Sequence, residues 1–234
     1  ALGREPNLAG LDLGAAGIAT RTNGQIVTNR WQQSNVPHVY AAGDCAELPH
    51  GLTRVGVSGL TGSHAYAQGK VAGLNAGGGT KRYQPVYVPW GTPAGKWVIG
   101  GASLGETLAT ALGMPFVVGR AEGISRARYY PGVKPIKIKL LAEPGQLRLI
   151  GAQMVGQEGI KERADFLATA VKFGLTLNDL AAMEDALRGL AFELDVVLGQ
   201  ERQLRGAGLD VERLHRFEHL LEGVGRRDHF PALA

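Results

Sequence analysis

A chain of 234 residues with 44% hydrophobic and 20% charged residues can bury one or two cores and is ordinary for a globular protein. Its net charge of +4 and pI near 9.3 suit anionic ligands, but no run of about five basic residues marks a nucleic-acid surface. The single cysteine, Cys45, excludes an internal disulfide and a cysteine zinc cluster, and no apolar run nears the ~20 residues of a membrane helix. With no signal peptide at the start, the expected setting is soluble and cytoplasmic.

Residues 1–30 read as loops and short strands, with Leu8, Leu11 and Leu13 as core or edge packing. Asn23-Gly24 lies between Ala19-Thr20 and Gln25-Ile26-Val27-Thr28 and predicts a tight hairpin, because both residues tolerate positive φ. Trp31 reads first as a packed aromatic and second as a ligand contact. Val36, Val39 and Tyr40 favour a strand, with Pro37 near its start. That strand would end in Ala41-Ala42-Gly43, where small residues allow close approach of a backbone or ligand. Asp44 follows at once and can accept hydrogen bonds from ligand hydroxyls, while repelling a bare phosphate. Residues 48–60 read as a glycine-containing loop. A helix is expected from Gly62 or Ser63 to Asn75, with Thr61 or Ser63 as its N-cap and Gly77-Gly78-Gly79 at its end. Its first turn would carry free amides and a partial positive charge. His64 in that turn has two readings, an acid–base group or a structural histidine.

From residue 81 the texture changes. Tyr83 to Val88, Lys96 to Gly100, Phe116 to Gly119, Ile136 to Leu140 and Leu147 to Gly151 read as strands, with a short helix from Gly105 to Leu112. The Ile-Lys-Ile-Lys alternation of 136–139 puts apolar side chains on one face, and Glu143-Pro144-Gly145-Gln146 predicts a turn. A helix from Glu158 to Phe173 presents Ile160, Ala164, Leu167, Ala168 and Val171 on one face. Gly174 would end it, and Thr176 to Asp179 resembles a capping box. Arg163 and Asp165 read as solvated or interface charges. Two further amphipathic helices are expected, one through Leu187, Leu190, Leu194, Val197 and Leu198 and one through Leu214, Phe217, Leu221 and Val224.

The run Asn35 to Glu47 resembles the second flavin-contacting motif, T-x-x-x-x-V-Y-A-x-G-D, of the FAD-dependent pyridine nucleotide-disulfide oxidoreductases. Ala1 to Asn7 resembles the family's A-x-G-R-x-P-N segment, Gly24 to Asn29 the hairpin before the flavin motif, and Gln68 to Gly73 the helix after it. Tyr129-Tyr130-Pro131-Gly132 to about Met183 is similar to the dimerisation domain of the NADH oxidase, NADH peroxidase and coenzyme A-disulfide reductase branch. The resemblance implies an α/β and α+β architecture. It would comprise the C-terminal part of an FAD-binding domain (1–80), an antiparallel-sheet dimerisation domain with covering helices (81–183) and a helical extension (184–234).

For the site, the resemblance implies that Gly43 and Asp44 hold the ribityl and pyrophosphate part of FAD. Gly62, Ser63, His64 and Ala65 would face the pyrimidine side of the flavin ring. Arg128, Tyr129 and Tyr130 would touch either a phosphate-bearing substrate or the partner subunit of a homodimer. No metal is implied, and no catalytic residue is assigned. The implied parent enzyme passes electrons from NADH or NADPH through FAD to a disulfide, oxygen or peroxide.

Two departures qualify the match. The chain has no G-x-G-x-x-G after a strand, so neither Rossmann fingerprint is present, and the family's redox cysteine is absent too. Cys45 stands beside the flavin aspartate and does not inherit that role. After Met183 the family's tyrosine- and proline-rich segment is replaced by Asp185 to Ala191. The expectation is therefore the C-terminal portion of a longer flavoenzyme, inactive alone, or one half of a split enzyme. A non-enzymatic dimerisation or regulatory module without cofactor is the alternative.

Overall fold

The computed structural model describes residues 5–53, 55–183 and 190–191. The chain divides into two compact units, Ala1–Val86 and Tyr87–Ala234.

In the first unit the Asn23-Gly24 turn forms as expected. Thr20 bridges Ile26, and the Gly24 amide donates to Arg21 O at 2.9 Å. Ile26 then pairs in parallel with Ala46, its amide donating to Cys45 O at 2.8 Å. Ile26, Ala41 and Ala46 form a small core, against which Leu8, Leu13, Ile18 and Cys45 pack. Leu11 lies outside it and is exposed. Two two-residue strands, β1 (Leu48–Pro49) and β2 (Gly56–Val57), pair antiparallel within the stretch expected to be loop. The Arg21 guanidinium forks onto Glu47 (2.7 and 3.1 Å), which keeps that buried carboxylate paired and raises the arginine's pKa through the hydrogen bond and the charge.

The helix α1 spans Gly62–Ala76. Its buried stripe is Gln68, Val71 and Asn75, two amides to one apolar side chain. The reason lies in what it covers. The segments beside it are irregular, with backbone groups that need partners. The Asn75 side chain donates to Trp31 O and Lys81 O (both 2.8 Å) and accepts from the Lys81 amide at 2.7 Å. Trp31 is half-buried, with Arg30 and Arg82 over its ring.

The strand expected through Val36–Tyr40 does not form. Val39 N–H donates to Val36 O, and Ser34 N–H to Val39 O (both 2.9 Å), so the chain turns back and only Gln33 bridges Tyr40. Pro37 removes a ladder donor, and the segment finds its neighbour in residues 32–34 rather than in a longer strand. Tyr83–Val86 also makes a single bridge, Val86 to His50, instead of a strand.

The second unit is built on an antiparallel sheet. Its strands are β3 (Pro89–Ala94), β4 (Trp97–Ser103), β5 (Val117–Ile124), β6 (Pro135–Ala142), β7 (Leu149–Gly156) and β8 (Leu190–Ala191), in the order β3-β4-β7-β6-β5-β8. Helix α2 (Glu106–Ala111) follows β4, and α3 (Ile160–Phe173) packs on β3, β4 and β7. Ile136, Ile138 and Leu140 of β6 are buried while Lys137 is exposed, as the alternation predicts. Ile160, Ala164, Leu167, Ala168 and Val171 of α3 are buried together against the sheet.

Strand β3 was not legible in the sequence, because its Pro-Trp-Gly-Thr-Pro-Ala composition argues against a strand. It forms because it is an edge, where a proline's missing amide leaves no ladder bond unmade. At the other end, Leu190 and Ala191 pair with Gly123 and Glu122 of β5, so at these two positions the expected helix is replaced by strand. The rest of that helix, and the one expected through Leu214 to Val224, lie outside the described residues.

Helix α4 (Leu177–Ala182) starts with the predicted capping box: Asp179 N–H donates to Thr176 Oγ1 at 3.1 Å, and Thr176 N–H to Asp179 Oδ2 at 2.8 Å. Those bonds hold the Asp179 carboxyl below the usual range. Asp165 pairs with Lys161 at the surface as expected, but Arg163 does not lie in solvent. It is half-buried and donates to Gly159 O at 2.9 Å and Ser125 O at 3.2 Å, which makes it a structural link between α3 and the end of β5.

The tightest backbone approach in this unit is at Gly151 of β7, where a Cβ would fall 1.9 Å from Leu104 O. Gly151→Ala is expected to lower unfolding stability by about 2–3 kcal/mol, since the obstacle is backbone and the core must shift. Urea denaturation of both proteins measures it. Equal midpoints would mean that this approach is not rigid.

Candidate functional site

The candidate site is centred on the turn that follows Ala41-Ala42. Gly43 sits at φ +86°, and its carbonyl accepts from Ala46 N–H at 3.0 Å. A side chain here would be strained by the positive φ, although its Cβ would meet Ala65 Cβ of α1 only at an ordinary contact distance of 3.5 Å. Glycine is thus required by the backbone of the turn and not by crowding against the helix. Asp44, next in the turn, is exposed.

Gly43, Asp44, Leu48, Gly59, Leu60, Thr61, His64, Ala65 and Gln68 line one shallow concavity that is open to solvent and encloses no cavity of its own. Of the residues expected at the site, it brings together Gly43, Asp44, His64 and Ala65. Gly62 and Ser63 belong to the same first turn of α1 but are exposed outside the lining. Leu60, Thr61 and Gln68 were not anticipated as site residues.

Thr61 has the extended backbone of an N-cap, yet its side chain makes no capping bond to α1. Its Oγ1 lies 3.0 Å from His64 Nδ1 and 3.3 Å from Ser63 Oγ. The hydroxyl is turned to the imidazole, so the amides of the first turn keep their capacity to bind an acceptor from outside. Burial pushes the His64 pKa below the ordinary histidine value. The ring is therefore neutral at pH 7, with Thr61 orienting it.

Gln68 is 1% exposed. Its Oε1 accepts from the Gly43 amide at 2.9 Å, and its Nε2 donates to Gln32 Oε1 at 3.0 Å and Glu47 O at 3.1 Å. The signal that could have found it is a polar residue at a buried helical position, three before Val71. Cys45 is a half-buried free thiol turned to Ala42 O at 3.3 Å.

Arg128, Tyr129 and Tyr130 belong to the second unit and are exposed, Tyr129 to 82%. The two tyrosine rings lie 4.7 Å apart, inclined at 37°. Neighbouring Arg126 is engaged, forking onto Glu158 (2.9 and 2.6 Å), while Ser125 donates to the same carboxylate. These bonds hold the Glu158 carboxyl below its usual range, with Arg126 the larger cause. Arg128 makes no ion pair among the described residues. No cluster of three His, Cys, Asp or Glu side chains that could hold a metal ion occurs among them either, and no helix among them is long and apolar enough to cross a membrane.

Two family models match the chain: pyridine nucleotide-disulphide oxidoreductase over residues 1–69, and the dimerisation domain of the same family over residues 96–184. The chain belongs to the pyridine nucleotide-disulphide oxidoreductase family. It is 38% identical over 160 residues to an NADH oxidase of Methanocaldococcus jannaschii, covering 68% of this chain and 35% of that protein. It is 34% identical to a CoA-dependent NAD(P)H sulfur oxidoreductase of Pyrococcus abyssi, covering 70% and 36%. Its fold matches a NAD-dependent persulfide reductase from A. fulgidus with a TM-score of 0.71 at 27% identity, covering 88% of this chain and 38% of that one. The chain spans about a third of the length of the curated relatives it matches. The family match unites the two units described above, the turn with its helix in the first and the antiparallel sheet with its covering helices in the second.

The depressed His64 pKa has a sign that can be checked. Below the unfolded value of ~6.5 the unfolded chain takes up the proton more readily. The contribution of neutral His64 is thus fully present above that pH and is lost as pH falls toward the folded pKa. Following the His64 Cε1–H resonance by NMR should give a midpoint below ~6.5. A midpoint above it would mean that the imidazolium is stabilised and the ring is not buried as described.

Proposed function

We propose that this chain is the flavin-contacting and dimerisation portion of an FAD-dependent NAD(P)H oxidoreductase. The observation that carries the reading is the convergence of three features on one concavity: the side-chain-free Gly43 turn, the exposed Asp44 carboxylate and the open first turn of α1. These fit one wall of an FAD site. Asp44 accepts hydrogen bonds from ribityl hydroxyls, Gly43 and Ala65 leave room for the ligand backbone, and the amides of Gly62, Ser63 and His64 favour negative charge where they point. When bound, FAD supplies the hydride and electron transfer, and the protein supplies placement and field. Neutral His64 adds no positive charge of its own, so the field at that turn comes from the helix end.

In this reading residues 1–80 belong to the FAD-binding domain, 81–183 form the dimerisation domain, and 184–234 are an extension. The complete protein is a homodimer that takes electrons from NADH or NADPH and delivers them to a disulfide, persulfide, oxygen or peroxide. The relatives named NADH oxidase, NAD(P)H sulfur oxidoreductase and NAD-dependent persulfide reductase support the nicotinamide donor and a sulfur acceptor. Arg128, Tyr129 and Tyr130 offer an exposed guanidinium and two exposed phenols to an anionic substrate in the assembled enzyme. The cytoplasm is the compartment that supplies the reduced nicotinamide.

The test is flavin retention. In the complete protein, Asp44→Ala should weaken FAD binding about tenfold, the scale of one lost charged hydrogen-bond acceptor, with little change in melting temperature of the apoprotein. Absorbance at the flavin bands after desalting measures it. Wild-type retention by the variant would overturn the assignment of Asp44.

A further inference from the structure

We propose that Gln25 and Gln68 are positioning residues that fix the Gly43–Asp44 turn from two sides, so that Asp44 is presented to the flavin in one conformation. The proposal rests on the flavin reading but concerns groups that do not contact the ligand.

The turn from Gly43 to Glu47 meets the hairpin backbone at a single bridge, Ile26 to Ala46, and four other backbone groups, the Gly43 amide and the carbonyls of Asp44, Ala46 and Glu47, take side-chain partners. Both glutamines are buried, Gln25 to 3% and Gln68 to 1% exposure. Gln68, from α1, takes the Gly43 amide on its Oε1 at 2.9 Å and donates to Glu47 O at 3.1 Å. Gln25, from the hairpin, directs its two Nε2 hydrogens at Asp44 O and Ser58 Oγ, each at 3.2 Å, with Ala46 O sharing one of them at 3.4 Å. The Ala42–Gly43 peptide is thus tied to the helix and the Asp44–Cys45 peptide to the hairpin.

Each glutamine is itself held. Gln68 Nε2 also donates to Gln32 Oε1 at 3.0 Å, and Gln25 Oε1 accepts from Asn23 Nδ2 at 3.0 Å. Neither amide can rotate without leaving a buried polar group unpaired. An apolar residue at either position would fill the space but leave those backbone groups without partners. A turn held this way loses little further freedom when a ligand binds, and for a carboxylate that must meet hydroxyls this is a gain in affinity without a new contact.

The experiment uses the 234-residue chain and three variants: Gln68→Met, Gln25→Met and Val71→Ala. Val71 lies on the same buried stripe of α1 but makes no part of the clamp. Amide exchange followed by NMR reads the turn directly, and flavin fluorescence titration with FAD reads its consequence. In the wild type the Gly43 amide should exchange as slowly as interior amides of α1. Each glutamine variant should speed that exchange and weaken FAD binding about tenfold. Val71→Ala should lower the melting temperature while leaving the Gly43 exchange rate relative to α1, and the FAD affinity, unchanged.

Fast exchange at Gly43 in the wild type overturns the proposal without any variant. So does equal loss of FAD affinity in Val71→Ala, which would reduce the glutamines to packing. If the wild-type chain takes up no FAD, this wall alone does not hold the cofactor, the FAD titration moves to the complete protein, and the exchange rates of the chain still decide whether the clamp exists.

Discussion

Much of the first unit depends on one constraint: backbone groups in irregular segments must find partners without a sheet to supply them. The chain meets it with buried side-chain amides. Gln25 and Gln68 serve the turn around Asp44, and Asn75 serves the loops at Trp31 and Lys81. A helix that covers such loops cannot present a purely apolar stripe, which is why α1 buries two amides beside Val71. The apolar cluster behind this turn is correspondingly small, Ile26, Ala41 and Ala46. Directional bonds, more than buried area, give the site its shape.

The second unit solves the opposite problem. Its backbone is satisfied by long antiparallel ladders, so the side chains are free to pack. Ile136, Ile138 and Leu140 alternate inward from β6, and α3 lays its apolar face across β3, β4 and β7. Glycines at the crossing, such as Gly100 beneath Ile160, let the helix come close. The result is a rigid sheet whose chemistry is at its rims, where Arg126, Ser125 and Glu158 are bonded together and Arg128 stands apart.

The parts of the structure that were legible are those governed by local rules. The helix through Ile160 to Phe173, the capping box at Thr176, the Asn23-Gly24 turn and the alternating β6 all follow from periodicity or turn chemistry within a few residues. Asp44 and the first turn of α1 were singled out through motif resemblance, and the structure sets Asp44 beside His64 and Ala65 of that turn. Gln68 was not, because a glutamine on a helix gives no sign that its acceptor will meet an amide 25 residues earlier. The strand expected through Val36–Tyr40 failed for a related reason: propensity names a preferred shape, but a strand also needs a neighbour, and here the nearest was a turn away. Strand β3 erred in the other direction, its prolines concealing an edge position that only the sheet order reveals.

That edge carries a further consequence. Pro89 and Pro93 cannot donate to β4, so they occupy the alternate positions of β3 whose donors would point away from the sheet. Of the three residues of that parity, Pro89, Gly91 and Pro93, only the glycine retains an N–H to offer. A foreign strand approaching this side would find acceptors but almost no donors, and could not zip into register. The sheet is thus closed to growth along β3 by two missing hydrogens.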